Sequence, residues 1–417
     1  MSTWWRAALV AIALSAQPAT LHAQSTTTFS GTAAKQQVDA LADQIGSRPA
    51  GSAAYDQAVT YAQDQFQHWG VTPSLQTFPL TVYDDRGSQV AVTDNLGNSV
   101  QLTADTLQYS VAGQIQAPLV NAGSGQATEF AAIDAHGKVA LIQRGVSRFS
   151  DKVGNAAAAG AAGVIVFNDS AGRVQGTLAQ PEPIPAATIS GDAGQQLLTM
   201  LGAGPVTATL NVDASTDQRS ATNVVAELPG SRPDTVIFTA HLDSVPAGPG
   251  ANDNGSGSAV VLELAHELSL RSQADRPMTV RFALFGAEEL GLDGSQYYVH
   301  NLSDAERQLL RADINLDMVG VGTQWRFGGT DDLVQLALGA ANDIGQRALP
   351  LNGPQSGASD HASFLEAGVP AVFVYRIEDP NYHTAEDVAS LVDVDALGQA
   401  GEIALRVLDQ LGAANPG

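Results

Sequence analysis

The period at which apolar residues recur changes from segment to segment along this chain, and each change marks a new kind of element. From residue 32 to about 69 the spacing is helical: Val38, Leu41 and Ile45, then Ala58, Tyr61, Ala62 and Phe66, fall on one face. The run Ser47-Arg48-Pro49-Ala50-Gly51-Ser52 interrupts that face as a turn. From 71 to 107 the period drops to two, which predicts short alternating strands with hairpin turns at Asp84-Asp85-Arg86-Gly87 and Asn95-Leu96-Gly97-Asn98.

Between about 108 and 212 the character shifts again. Lys138-Val-Ala-Leu-Ile142 and Gly163-Val-Ile-Val-Phe167 read as strands buried on both faces, and the Ala/Gly-rich stretch 151–162 between them reads as a close-packing helix. No grouping of His, Asp and Glu accompanies them, so this segment is expected to be an inserted domain without chemistry of its own. From 222 onward, strands at 235–240, 278–285, 312–318 and 371–376 alternate with helices at 257–271, 295–302, 305–311, 333–344 and 394–411. Such alternation implies crossover connections. The expected fold is α/β, a mostly parallel mixed sheet with helices on both faces, built from residues 32–107 and 213–412, plus a smaller α/β insert at 108–212.

Composition narrows the functions open to such a fold. Hydrophobic residues make up 44% of the 417 and charged residues 15%, which excludes a disordered chain. A net charge of −23 repels phosphate backbones and anionic lipid, so no nucleic-acid partner is expected. Cysteine is absent, which rules out disulfides, zinc–thiolate sites and cysteine nucleophiles; any metal must sit on imidazole and carboxylate. At the N-terminus, Arg6 precedes an apolar run from Ala7 to Ala16 and small residues around Leu21-His22-Ala23. That run is too short to span a bilayer. It reads as a secretory signal over residues 1–23, and the mature protein is expected in the periplasm or outside the cell, free of the membrane.

The chemistry gathers at the ends of the predicted strands. His241 and Asp243 follow the strand at 235–240, Glu288 and Glu289 that at 278–285, Asp317 that at 312–316, and Asp379 and His383 that at 371–376. The loop Gly248-Pro-Gly-Ala-Asn-Asp253-Asn-Gly-Ser-Gly257 adds one more carboxylate. In an open α/β sheet the ligand crevice lies outside the carboxyl ends of the strands. Two imidazoles and about four carboxylates on one sheet edge suit zinc or a similar divalent ion, and the set is large enough for two ions with a base left over.

Five strings carry a resemblance: Thr239-Ala-His-Leu-Asp-Ser-Val245, Gly250-Ala-Asn-Asp-Asn-Gly-Ser-Gly257, Phe285-Gly-Ala-Glu-Glu-Leu-Gly-Leu292, Asn315-Leu-Asp-Met-Val-Gly320 and Tyr382-His-Thr-Ala-Glu-Asp387. In this order they resemble the secreted dizinc aminopeptidase family of bacterial leucyl aminopeptidase and aminopeptidase Y, with its zinc-exopeptidase fold. The segment with Gly137-Lys-Val-Ala-Leu-Ile-Gln-Arg-Gly145 resembles the protease-associated domain that many relatives carry there. The resemblance implies two Zn2+ per chain: His241 and Asp317 on one, Glu289 and His383 on the other, and Asp253 between them. It further implies Glu288 as general base, Asp243 as the carboxylate orienting His241, Tyr382 as a group polarising the scissile carbonyl, and a cis bond at Asp253–Asn254. Peptides with a free N-terminal amine are the implied substrates, with Glu288, Asp317 and Asp360 as candidates to contact that amine.

Other readings remain open at the level of sequence. A carboxypeptidase or dipeptidase on the same scaffold would need a cation for the substrate carboxylate, for which Arg376 and Arg326 are candidates. Glutaminyl cyclisation uses this fold with one zinc, and a non-catalytic binding module would show lost ligands. The full ligand set counts against both.

Overall fold

Strands dominate the architecture of the protein, whose computed structural model describes residues 29–145, 147–351 and 359–414. The expected signal segment, residues 1–23, lies outside the described residues. The strands are β1 (Pro73–Thr93), β2 (Ser99–Thr106), β3 (Gly113–Asn121), β4 (Val139–Gln143), β5 (Gly163–Phe167), β6 (Ala186–Ile189), β7 (Thr207–Leu228), β8 (Thr235–His241), β9 (Thr279–Phe285), β10 (Leu310–Leu316), β11 (Gln324–Gly329), β12 (Ala348–Pro350) and β13 (Ala371–Ile377). Their order is β1-β2-β6-β5-β4-β3-β7-β9-β8-β10-β13-β11-β12, with β1 also paired to β7.

The centre of the larger unit is the parallel set β9-β8-β10-β13, flanked by antiparallel β7 on one side and β11 on the other. Its strands are buried on both faces because helices cover both. Val236, Phe238 and Ala240 of β8 point into one cluster with the helices Ala53–His68, Gly257–Ser269 and Val394–Ala414, whereas Ile237 joins another with Tyr298 and Phe364. That is why these strands read as continuous apolar runs rather than alternating ones. The mixed α/β sheet expected from the alternation is what forms. Helix starts follow the sequence as well: Ser52 caps Ala53–His68 by accepting from the amide of Tyr55, a contact worth about 1 kcal/mol.

The insert repeats the two-faced logic. Val139 and Leu141 of β4 join one cluster with Leu197 of the helix Gly191–Ala203, and Ala140 and Ile142 join the opposite one with Val153 and Ala156 of the helix Phe149–Ala158. The two units share β1 and β7, which pair antiparallel from Pro73↔Ala226 to Thr93↔Thr207. Phe78, Leu80 and Val82 of β1 belong to the larger core and Val90 and Val92 to the insert's.

One expectation fails here. Asp84-Asp85-Arg86-Gly87 is not a hairpin turn but a bulge within β1, where the register shifts between Asp85 and Gly87. The Asp85 carboxylate takes the amide of Gly87, whose φ of +106° needs glycine, and β7 supplies a partner strand on both sides of the break. Local turn chemistry yields to the long pairing. The second predicted turn does join β1 to β2, with Thr93 opposite Ser99.

The register suggests where to cut. Asp84 lies opposite Ser215, below the insert's core. Joining these two through a two-residue turn, with 85–214 removed, is expected to give a folded chain that still takes up zinc. Circular dichroism with metal analysis would check this, and a deletion protein that cannot fold would make the insert part of the main core.

Among the described residues no helix is long and apolar enough to cross a membrane.

Candidate metal centre

The four neighbouring strands β9, β8, β10 and β13 end on one edge, and their ends bring together the side chains that the sequence spread over more than a hundred positions. His241 closes β8; Glu288 and Glu289 follow β9; Asp317 follows β10; His383 follows β13. The turn 251–256 carries Asp253, and the bond Asp253–Asn254 is cis. Gly257 starts the next helix where an added Cβ would lie 2.0 Å from the carbonyl oxygen of Leu316, so glycine alone lets this helix abut the end of β10.

Asp253 stands between the two histidines. Its Oδ1 is 3.2 Å from His241 Nε2 and its Oδ2 is 3.1 Å from His383 Nε2. His241 Nε2 also faces Asp317 Oδ1 at 3.4 Å and Glu288 Oε2 at 3.9 Å, whereas His383 Nε2 faces Glu289 Oε2 at 3.0 Å. Two nests result. One gathers about His241 Nε2 with Asp317 and Asp253, the other about His383 Nε2 with Glu289 and Asp253. They adjoin closely, since donor atoms of His241, Asp253 and Glu289 all lie within 4.8 Å of one another, as do those of His241, Glu288 and Asp317.

The backbone around them is held out of its preferred basins. Ala287, Met318 and His383 all have left-handed φ, at +60°, +54° and +58°, and each is a candidate site residue or lies beside one. Such outliers persist only where surrounding contacts over-determine them. Asp243 is one such contact: it is fully buried, its Oδ1 lies 3.5 Å from His241 Nδ1, and its two oxygens accept from the amides of Glu288 and Glu289 at 3.3 and 3.4 Å. The carboxylate expected to orient the histidine thus aims both glutamates, while His241 Nδ1 lies nearer the main-chain carbonyl of Asp243, at 3.2 Å.

The electrostatics of the protein groups alone are unbalanced. Burial pushes Glu288 up to about 10, with Asp317, Asp360 and Asp243 adding to the rise against the pull of His241. Burial likewise raises Glu289, against its bond from His383. Asp253 goes the other way: burial would raise it, but both histidines hold it well below the usual carboxylate range. Burial opposes charge on His241, yet Glu288 and Asp317, with contacts from Asp243 and Asp253, keep its pKa well above the ordinary value. Bonds from Asp253 and Glu289 take His383 up to about 10.

So many carboxylates cannot all stay ionised in one buried pocket without cations. His241 Nε2, Glu289 Oε1 and Asp317 Oδ1 are buried without a hydrogen bond. Such orphans carry a desolvation cost unless something else binds them. Nitrogen and carboxylate donors with no sulfur, converging on two points, fit zinc.

Beside the nests opens a cavity of about 490 Å³, lined by Asp253, Glu288, Asp317 and Tyr382 on the side of the chemistry and by Met318, Phe373 and Tyr375 among its apolar walls. Tyr382 is half exposed and its ring stacks on His383 at 3.7 Å. Burial and the nearby carboxylates raise its pKa, so its hydroxyl remains a proton donor.

Three candidates fall elsewhere. Arg376 is buried with its guanidinium 5.0 Å over the ring of Trp325 and does not line the cavity; neither does Arg326, on β11 opposite Tyr375. Asp360 is fully buried where the helix His361–Glu366 begins and does not line the cavity, and burial pushes it up to about 7. Ser359 has a role that its sequence context did not suggest. Its hydroxyl donates to Asp317 Oδ2 at 2.7 Å and accepts from Asn315 Nδ2 at 2.7 Å, fixing the carboxylate whose other oxygen faces His241. No spacing rule links it to Asp317; only the fold does.

Known proteins resemble this chain in sequence and in fold. Residues 223–408 match the model of peptidase family M28, and residues 115–197 match the PA domain. Aminopeptidase YwaD of Bacillus subtilis is 35% identical over 388 residues, 88% of this chain and 81% of its own length. The solved aminopeptidase of Aneurinibacillus sp. strain AM-1 superposes with a TM-score of 0.76 at 30% identity, covering 92% of this chain and 94% of that one. A structure of BSAP, a zinc aminopeptidase from Bacillus subtilis, gives 0.69 at 31% identity over 92% and 95% of the two chains.

Proposed function

This chain belongs to peptidase family M28, as a zinc metalloexopeptidase with an inserted PA domain, and from that premise we propose that it is an exported aminopeptidase working with two zinc ions. One observation carries the dinuclear reading: each carboxylate oxygen of Asp253 faces a different histidine, at 3.2 and 3.1 Å. His241 and Asp317 would complete one ligand set, Glu289 and His383 the other. When bound, the zinc pair supplies Lewis acidity and lowers the pKa of a water to near neutral.

The protein's own groups divide the remaining work. Glu288 reaches the cavity, takes the proton of the attacking water and delivers it to the leaving amine. Tyr382 offers its hydroxyl to the oxyanion that develops on the scissile carbonyl. Asp243 keeps the His241 ring and both glutamates in place. The substrate's protonated α-amine meets Glu288 and Asp317, and the strongly negative chain favours cationic peptide ends, less so as salt rises.

The cavity's charge decides which peptide end enters. Its lining carries Asp253, Glu288, Asp317, Glu378 and Asp379, and no Lys or Arg lines it among the described residues. A carboxypeptidase would need such a cation, and Arg376 is occupied with Trp325. Hydrolysis of a free-amine aminoacyl anilide against its N-acetylated form, each with and without chelator, tests the reading. Acetylation removes the cation and leaves buried carboxylates unpaired, which costs a few kcal/mol, or roughly two decades in kcat/KM. Comparable rates on both substrates would move the assignment to the carboxypeptidase reading. Export is tested by sequencing the N-terminus of the secreted protein, which should start near Gln24.

A further inference from the structure

Nine residues of loop separate the end of β8 from the turn that carries Asp253, with Gly250 in left-handed backbone at φ +58° and no strand pairing to fix the path. Yet the position of Asp253 demands that this path be reproducible, since its two oxygens face one histidine at the end of β8 and another in the loop after β13. Two buried groups of opposite charge grip the segment. Neither belongs to the ligand set.

Asp387 is 3% exposed. Its Oδ1 accepts from the amide of Asn252 at 2.8 Å and its Oδ2 from the amide of Asp253 at 3.0 Å, and its own carbonyl accepts from the amide of Ala251 at 3.2 Å. The same residue lies one turn beyond His383. A single carboxylate thus ties the loop bearing His383 to the main chain of Asp253. Asn252, whose amide it holds, extends the grip: its side-chain oxygen accepts from the amides of Gly320 and Val321 at 2.9 and 3.0 Å, in the segment just after Asp317.

Arg48, fully buried, holds the other half of the loop. Nε donates to the carbonyl of Leu242 and Nη2 to that of Gly250, both at 2.8 Å, and Nη1 donates to Pro249 and, at 3.3 Å, to Gly46. Among the described residues these acceptors are all main-chain carbonyls. A buried guanidinium ordinarily pairs with a carboxylate. Here its hydrogen bonds shape backbone instead, and its charge lies near Asp243, Asp387, Asp253 and Glu289.

We propose that Asp387 and Arg48 are positioning residues that bind, respectively, the amides and the carbonyls of the segment from Leu242 to Asp253, and so place the carboxylate shared by the two zinc ions. The inference rests on the dinuclear reading above. An Asn at 387 keeps the shape but offers one acceptor and an NH2 group to two amides. A Lys at 48 keeps the charge but cannot serve the carbonyls of Leu242, Pro249 and Gly250 together.

The test is zinc affinity by chelator competition on folded Asp387→Asn and Arg48→Lys protein, with thermal melting of the metal-free chains alongside. Each variant should bind zinc roughly 10–100-fold more weakly, as when groups that orient ligands are lost. Glu263→Gln is the control: Glu263 is 2% exposed, pairs with His266 and touches no ligand, so it should alter melting but leave zinc affinity unchanged. Wild-type affinity in both folded variants would overturn the proposal. So would failure of both to fold, because the pair would then hold the whole domain rather than this loop. If only one folds, its affinity decides. A wild-type protein that takes up fewer than two ions is a separate result and sinks the dinuclear reading itself.

Discussion

Glu288→Gln is expected to lower kcat by roughly 10²–10⁴-fold, the usual worth of a general base, while both zinc ions remain bound. Glu288 lines the cavity, and its Oε2 stays 3.9 Å from His241 Nε2, the longest of the carboxylate approaches to that nitrogen. Glutamine fills the same volume, so the amide grip of Asp243 on this turn should survive. It cannot accept a proton. Glu289 is the opposite case: one oxygen lies 3.0 Å from His383 Nε2 and the other is buried without a hydrogen bond, so Glu289→Ala should shed metal. Metal analysis beside single-turnover kinetics separates the two. A Glu288→Gln protein that arrives empty while Glu289→Ala stays loaded would exchange their roles.

Asp253→Ala should damage metal binding as well as turnover, because it removes one oxygen from each proposed ligand set in a single change. Both proposed zinc sites would then be short of a ligand, and His241 and His383 lose the carboxylate that faces them. Zinc supplies several kcal/mol of transition-state stabilisation. At 1.36 kcal/mol per decade, its loss corresponds to roughly a thousandfold or more in kcat/KM. The expected protein is folded, carries substoichiometric zinc and recovers little activity in excess metal. Full activity with one ion per chain, in this variant or in the wild type, would remove the case for a dinuclear centre.

The pattern of residues was enough to announce the α/β alternation, the two-faced burial of β4 and β5, and the strands whose ends carry chemistry. Periodicity reports burial directly, and the sheet order β9-β8-β10-β13 does the rest by setting those ends side by side. His241, Glu289, Asp317 and His383 were legible because each lies within a few residues of a strand end, where an open sheet places its crevice, and Asp253 because its loop leads into the next helix. Absent cysteine and a surplus of carboxylates restrict the metal chemistry further, to imidazole and carboxylate donors.

Other features were decided by contacts between residues far apart in the chain. Asp84-Asp85-Arg86-Gly87 has the composition of a turn, but a strand more than a hundred residues later pairs across it and turns it into a bulge. Ser359 on Asp317, Asp387 on the amides of Asn252 and Asp253, and Arg48 on the carbonyls of Leu242 and Gly250 join parts of the chain that no local period relates. Arg376 and Asp360 carry the right charges for substrate recognition but neither lines the cavity: one stacks on a tryptophan face and the other is fully buried. Local sequence fixes which face of an element is apolar, because that depends on spacing along one strand or helix. Which buried polar group meets which backbone amide depends on how separate elements pack, and that is settled only when the whole sheet and its loops close around the site.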